Sequence, residues 1–254
     1  MSKPLILITN DDGYQARGIA ALVKAVAHLG EVWMVAPREN QSAVSFSVTI
    51  HTPIRSQKVS FPHTENAHWV SGSPADCVKF AVGNLLPRKP DLILSGINHG
   101  PNIAVNLLHS GTVAGAMEGC VDGVPAVAFS LDDWGPEFDF SGSAWAAEKV
   151  ARQVLSNGLP DGVMLNVNVP KAPVTALKGF TICRQARSKW NETFKERLDP
   201  AGKPYYWLEG HHVNLDQGED HDIAVIAEGY IAVTPIQLDR TDYQFAQAMK
   251  NWDF

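Results

Sequence analysis

The chain has 254 residues, 45% hydrophobic and 19% charged, and its 27 acidic against 21 basic side chains leave a formal net charge of -6. That balance argues against a polymeric nucleic-acid backbone as main partner, which needs a positive field, and no apolar run is long enough to span a membrane. The length accommodates one large α/β domain, or a domain with an appendage, around a substantial core. Cys77, Cys120 and Cys183 are far apart and form no C-x-x-C pair, so neither a disulfide framework nor a zinc knuckle is expected. They read as small buried hydrophobes in a reducing cytoplasm. The apolar run before Asn10 is too short for the core of a signal peptide.

In chain order, Leu5 to Ile8 is a buried strand broken by Asn10, Asp11, Asp12 and Gly13, after which Ile19, Leu22, Val23 and Val26 mark one face of a helix. Ligands in an open α/β sheet collect outside the carboxyl ends of strands, which puts Asp11 and Asp12 where chemistry is expected. The turn is neither a dinucleotide fingerprint nor a P-loop. Two neighbouring carboxylates repel each other and repel phosphate; a hard divalent cation such as Mg²⁺ or Mn²⁺ removes both conflicts. An equally weighted reading makes the pair a helix cap and dipole partner.

Val32 to Ala36 predicts a second strand, parallel to the first, whose loop carries Asn40 and Ser42 to the same sheet edge, as site residues or as turn formers. Val44 to Ile50 and Val59 to Val70 suggest small strands in an excursion from the main sheet. Ser73, Pro74 and Asp76 spell a helix start, and that helix runs to about Leu86. Asp91 to Leu94 is a further strand, opening into a loop with Gly96, Asn98 and Asn102, where glycine permits close approach to a ligand and the Asn98 amide oxygen can ligate a hard metal. Ser110, Gly111 and Thr112 open a small-residue helix whose first turn is an anion site or an ordinary cap. Val124 to Leu131, Ser141 to Leu155 and Val163 to Val169 continue the strand-helix alternation of a doubly wound, Rossmann-like, mostly parallel sheet.

Residues 1–170 are thus expected to form the α/β catalytic core. Residues 171–254, part of the same domain, supply an extended arm rich in aromatics, a returning strand at Gly229 to Ile236 and a closing helix within Asp239 to Trp252. His211, His212, Asp216, Asp220, His221 and Asp222 could in principle bind a second metal, but they match no known ligand spacing and read better as a solvated loop with capping and turn roles.

Taken together, Asn10-Asp11-Asp12-Gly13, Ala36-Pro37 with Asn40-Gln41-Ser42, Gly72-Ser73-Pro74-Ala75-Asp76-Cys77, Ser95-Gly96-Ile97-Asn98, Gly100-Pro101-Asn102, Ser110-Gly111-Thr112-Val113-Ala114, Leu165 to Pro170 and Gly229 to Pro235 resemble the SurE family of survival-protein nucleotidases across nearly the whole chain. The resemblance implies a phosphomonoesterase acting on nucleoside 5′- and 3′-monophosphates, in some members also on short polyphosphate. It implies one divalent cation per subunit, Mg²⁺ or Mn²⁺, on Asp11, Asp12, Ser42 and Asn98, and a homodimer or homotetramer built by C-terminal exchange. Within that frame Asp11 and Asp12 are the catalytic candidates. Asn40, Gly96, Asn98, Asn102, Ser110, Gly111 and Thr112 are the candidates for phosphate or substrate contacts. His221 stands where a small hydroxyl residue is expected, and Arg38, Glu39 and Gln41 occupy positions that often vary. Two rival readings are an aspartyl-phosphate mechanism, disfavoured by the adjacent rather than alternate spacing of the carboxylates, and a metal- and nucleotide-binding sensor without turnover.

Overall fold

A computed structural model describes residues 3–135 and 138–253. The first strand, β1 (Leu5–Thr9), is buried throughout and sends successive side chains to opposite faces, as strand geometry requires. Ile6 and Ile8 join the cluster formed with α1 (Arg17–Val26) and α4 (Ser141–Asn157), while Leu7 joins the opposite cluster with α2 (Pro74–Phe80) and α3 (Gly111–Val121). Helices on both faces explain why the strand is apolar without interruption. Each such side chain contributes about 1.5–3 kcal/mol on burial.

The remaining strands of the main sheet are β2 (Glu31–Pro37), β3 (Ser56–Lys58), β4 (Asn66–Val70), β5 (Leu92–His99), β6 (Ala126–Asp132), β7 (Val163–Pro170), β8 (Phe180–Ile182) and β11 (Ile231–Gln237). Their order is β3-β4-β2-β1-β5-β6-β7-β11-β8, parallel from β4 to β7 and antiparallel where β3 meets β4 and where β11 meets β7. The chain builds outward from β1 on one side and then returns to place β5 on the other. The switch point of the sheet therefore lies between β1 and β5.

Two expectations about the early chain are corrected. Residues 44–50 form no strand: Ala43 and Ser45 have φ of 60° and 55°, and the segment's polar groups are engaged elsewhere. Thr49 donates through N and Oγ1 to the Asp76 carboxylate at 2.9 and 2.6 Å, and Ser45 N and Oγ donate to the carbonyls of His109 and Leu108. Nor do residues 59–70 leave the main sheet, because β4 pairs in parallel with β2 and extends it. The α2 start is as expected, with Ser73 and Asp76 forming a reciprocal capping box and Pro74 in the first turn; a π-helical turn, Ala81–Leu85, then carries the segment on.

After β8 the chain leaves the sheet as a long hairpin, β9 (Ser188–Leu198) and β10 (Pro204–Asn214), a separate two-stranded antiparallel sheet that is mostly exposed. It returns through α5 (Asp222–Ala227) and β11 to α6 (Tyr243–Met249), which Asp242 caps. The polar run before α5 is not uniformly solvated, since His221 and Asp222 are 2% and 0% exposed. His221 accepts the Ala224 N–H at Nδ1, 3.1 Å away, so it performs the capping task of the hydroxyl residue expected there. Asp222 accepts the backbone N–H groups of Ala104 and Ala186, and burial still pushes its carboxyl above the ordinary range. Asp216 and Asp220 grip Arg184 at 2.6 and 2.8 Å, while His211 and His212 belong to β10. No helix among the described residues is long and apolar enough to cross a membrane.

Candidate active site

Asp11 and Asp12 leave the end of β1 at the switch point. The loop after β2 is laced to them by backbone bonds, Gln41 N to Asp11 O at 2.7 Å and Tyr14 N to Pro37 O at 2.8 Å. That lacing brings Ser42 to the same cleft as Asp11, with its backbone N–H held by Asn40 Oδ1 at 2.7 Å. The third contribution comes from β5, which runs on to His99 rather than ending at Leu94 as the apolar pattern suggests. Its register against β6 shifts between Ser95 and Asn98, a bulge that re-aims the Asn98 side chain. Asn98 Nδ2 donates to Gly100 O at 2.7 Å, which orients the amide and leaves Oδ1 as its remaining donor atom for a cation. His99 N donates to Asp12 Oδ2 at 3.4 Å and joins the two strand ends.

The buried end of this cluster is built around the Asp11 carboxylate, which is 4% exposed. It accepts a short hydrogen bond from Thr112 Oγ1 and is further favoured by the backbone N–H groups of Thr112 and Asp11 itself. Burial, reinforced by the neighbouring Asp12, nevertheless raises its pKa to about 7. Burial also raises Asp12, against the partial help of the His99 backbone and ring. Glycine 111 is what lets α3 come this close: a Cβ there would lie 2.7 Å from Asp11 Cβ and 3.2 Å from Gln41 O.

The residues expected to contact phosphate are held as follows. The Thr112 hydroxyl donates to Asp11, whose carboxylate the Thr112 N–H also favours, and the Ser110 hydroxyl caps the helix by accepting Val113 N at 3.1 Å. Gly96 is a packing position, where a Cβ would meet Phe129 O at 2.3 Å. Asn102 lies in the cleft wall, but its Nδ2 donates to Ser130 Oγ at 2.9 Å, and its backbone is held by Asn166 and Asn168. Asn40 and Ser42 are exposed, and Ser42 keeps its hydroxyl.

The cleft is about 600 Å³ and includes Asp11, Ser42, Asn98 and Ser110 on its inner side. Its other wall contains residues that the sequence pattern did not single out as site residues: His99 and Trp134 from the sheet edge, His109 from the helical turn before α3, and Trp190, Glu192 and Leu208 from the hairpin. Strand-end position was the available clue for Trp134, which follows the carboxyl end of β6. None existed for the hairpin residues, whose place depends on how the arm folds back. Among the described residues no Lys or Arg lines the cleft. Two carboxylates held above their ordinary pKa, with a hydroxyl and an amide oxygen beside them and no resident cation side chain, form a hard, all-oxygen donor set that fits a divalent metal. Among the described residues no group of three or more His, Cys, Asp or Glu could hold a metal, so the hairpin-proximal histidines and aspartates make no second centre of that kind.

The fold and this edge define a doubly wound α/β protein with an acid-rich oxygen-donor site at its switch point. The chain belongs to the survival protein SurE family, whose profile matches residues 6–192. It is 47% identical to a 5′-nucleotidase SurE of Flavobacterium psychrophilum, with 100% of this chain and 99% of that protein aligned, and 44% identical to one from Christiangramia forsetii over 98% and 97%. Among solved structures, the SurE protein of Aquifex aeolicus superposes with a TM-score of 0.85 at 38% identity, over 97% of this chain and 98% of that one.

Proposed function

We propose that this protein is a divalent-metal-dependent 5′-nucleotidase that hydrolyses nucleoside monophosphates to nucleoside and phosphate, with 3′-monophosphates and short polyphosphate as further substrates. The observation that carries the reading is the convergence of Asp11, Ser42 and Asn98, from three different strand ends, on a cleft that no Lys or Arg among the described residues lines, with Asp12 tied beside them by the His99 N–H. An anionic substrate has no reason to enter such a site unless a cation is held there, and these four residues are the ones that would hold it, as Mg²⁺ or Mn²⁺. When bound, the cation supplies Lewis-acid polarisation of a phosphoryl oxygen and a lowered pKa for bound water.

The chain's own groups do the rest. Thr112 fixes the Asp11 carboxylate from behind, so the geometry of the donor set is established before substrate arrives. The raised affinity of Asp11 and Asp12 for positive charge is the property that both a cation and a transferred proton exploit, and either carboxylate can accept the proton of an attacking water. The Ser42 hydroxyl, exposed at the rim, is placed to donate to phosphate or to ligate. Residues 1–170 act as the catalytic core, and residues 171–254 as arm, returning strand and closing helix of the same domain. Phe194, Trp207 and Tyr206, 70%, 58% and 54% exposed on the hairpin, support association of copies into a dimer or tetramer by exchange of C-terminal elements. The reduced cysteines support a cytoplasmic setting.

The test is phosphate release from a panel of 5′- and 3′-nucleoside monophosphates, with Mg²⁺ or Mn²⁺ against EDTA, for wild type and Asp12→Asn. Metal-dependent release that collapses in a folded Asp12→Asn protein is the expected result. Release indifferent to chelator and substitution would overturn the metal site, and metal-dependent nucleotide binding without release would favour a sensor.

A further inference from the structure

We infer that Trp134 and Trp190 are the two walls of a nucleobase subsite, so that the β9–β10 hairpin is part of the substrate cleft and sets its preference for nucleotides over other phosphate monoesters. The inference rests on the nucleotide reading of the site and assigns the part of the substrate that the oxygen donors leave unaddressed. A nucleotide has an anionic end and a flat aromatic end. The inner side of the cleft offers donor atoms for the first, and the outer wall carries two indoles.

Both rings stand against the core. Trp190 Nε1 donates to Asn106 Oδ1 at 2.7 Å, and its ring meets His212 edge-on, with centroids 5.5 Å apart. The same turn of the core anchors the hairpin base, where Val105 N donates to Ser188 Oγ at 3.1 Å. Trp134 lies across the backbone at Gly100, where a Cβ would come within 2.7 Å of the indole. Its own surface stays 71% exposed, although it stands at the edge of a polar cleft rather than over the core. A restrained indole with an open surface beside a phosphate-sized donor cluster is what base stacking requires, and stacking is tolerant of base identity.

Strand periodicity places the other hairpin residues consistently. Trp190 and Glu192 are two apart on β9 and share a face, and the residue opposite Glu192 on β10 is Gly210, where a Cβ would come within 3.1 Å of Glu192 Cγ. The Glu192 carboxylate offers an acceptor for ribose hydroxyls or a base amino group, and its charge disfavours a second phosphate at this end. The cleft volume of about 600 Å³ accommodates a mononucleotide.

The experiment compares kcat/KM for a nucleoside 5′-monophosphate with that for ribose 5-phosphate, which lacks the base, in wild type, Trp134→Ala, Trp190→Ala and Trp134→Phe. The ratio of the two is expected to fall about ten- to hundredfold in both alanine variants and to be largely retained in Trp134→Phe. Because Trp190 also positions the hairpin, the exposed Trp134 is the decisive pair of variants. In parallel, adenosine binding is measured by equilibrium dialysis in EDTA, independent of turnover, and is expected to weaken by a similar factor in Trp134→Ala. An unchanged ratio, or adenosine binding indifferent to Trp134→Ala, would overturn the subsite. If wild type releases phosphate from neither substrate with metal present, the nucleotidase reading fails, and the adenosine dialysis alone decides the subsite in either direction.

Discussion

The two walls of the cleft are built by opposite strategies. On the sheet side, Asp11 and Thr112 are 4% and 0% exposed, and the Asp11 carboxylate is braced by the start of α3. On the hairpin side, Trp207, Phe194 and Leu198 are 58%, 70% and 62% exposed, and the ribbon touches the core mainly at its base. Groups that must hold charge at a fixed distance occupy the rigid, dry wall, where their carboxylates sit at a cost to stability. Of the two indoles at the cleft, Trp190 stands on the ribbon and Trp134 on the core, just after β6. The proposed donor cluster and the proposed base wall can therefore be altered separately by substitution.

The strongest way to break the comparison is Asp12→Asn, which is expected to lower kcat/KM by about 10³-fold or more in metal-supplemented phosphate-release assays while leaving the circular dichroism spectrum unchanged. A mild loss would mean that the dry wall is not the chemical one. Thr112→Val keeps shape but removes the hydrogen bond to Asp11, and about 10–100-fold loss of metal affinity or activity should follow in a metal titration. Gly111→Ala forces a Cβ against Asp11 and the Gln41 carbonyl, a crowding expected to destabilise by about 1–3 kcal/mol in urea unfolding.

The pH dependence sharpens the same contrast. The folded pKa of Asp11 is about 7, above that of the unfolded chain, so folding favours its protonated form. In EDTA its contribution is therefore fully present below the unfolded carboxylate pKa of roughly 4 and is lost as pH rises toward about 7. Asp11→Asn should then raise the EDTA melting temperature at pH 8 by several degrees and change it little at pH 4, while divalent metal stabilises wild type more at pH 8 than at pH 5. A melting temperature for Asp11→Asn below that of wild type at pH 8 would count against a frustrated carboxylate. The smallest effect is expected on the ribbon: Leu198→Ser near the hairpin turn should stay within about 0.5 kcal/mol in unfolding, with any change confined to sedimentation of the assembly.

Much of the sheet was legible because local rules and burial agree there. The continuous apolar run of Leu5 to Ile8, the helix face of Ile19 to Val26 and the box of Ser73 with Asp76 each call for one structure, and the tertiary environment supplies the same one. Where local pattern and environment diverge, the pattern misleads. Residues 44–50 alternate weakly, yet their polar groups are claimed by Asp76 and the segment before α3. His221 and Asp222 look like a solvated acidic run, yet two distant segments, at Ala104 and Ala186, converge on the Asp222 carboxylate.

The candidate site divides in the same way. By itself, the sequence offered the candidate donor types: adjacent carboxylates past one strand, a hydroxyl past another and an amide in the polar end of a third are properties of residue type and strand position. Only the tertiary structure decided that the Thr112 hydroxyl donates to Asp11, that the register of β5 shifts before Asn98, and that Trp190 joins Trp134 at the cleft. The physical reason is distance along the chain. Thr112 and Asp11 are 101 residues apart, and no periodicity or local propensity carries information about a contact that exists only once the sheet has closed between them.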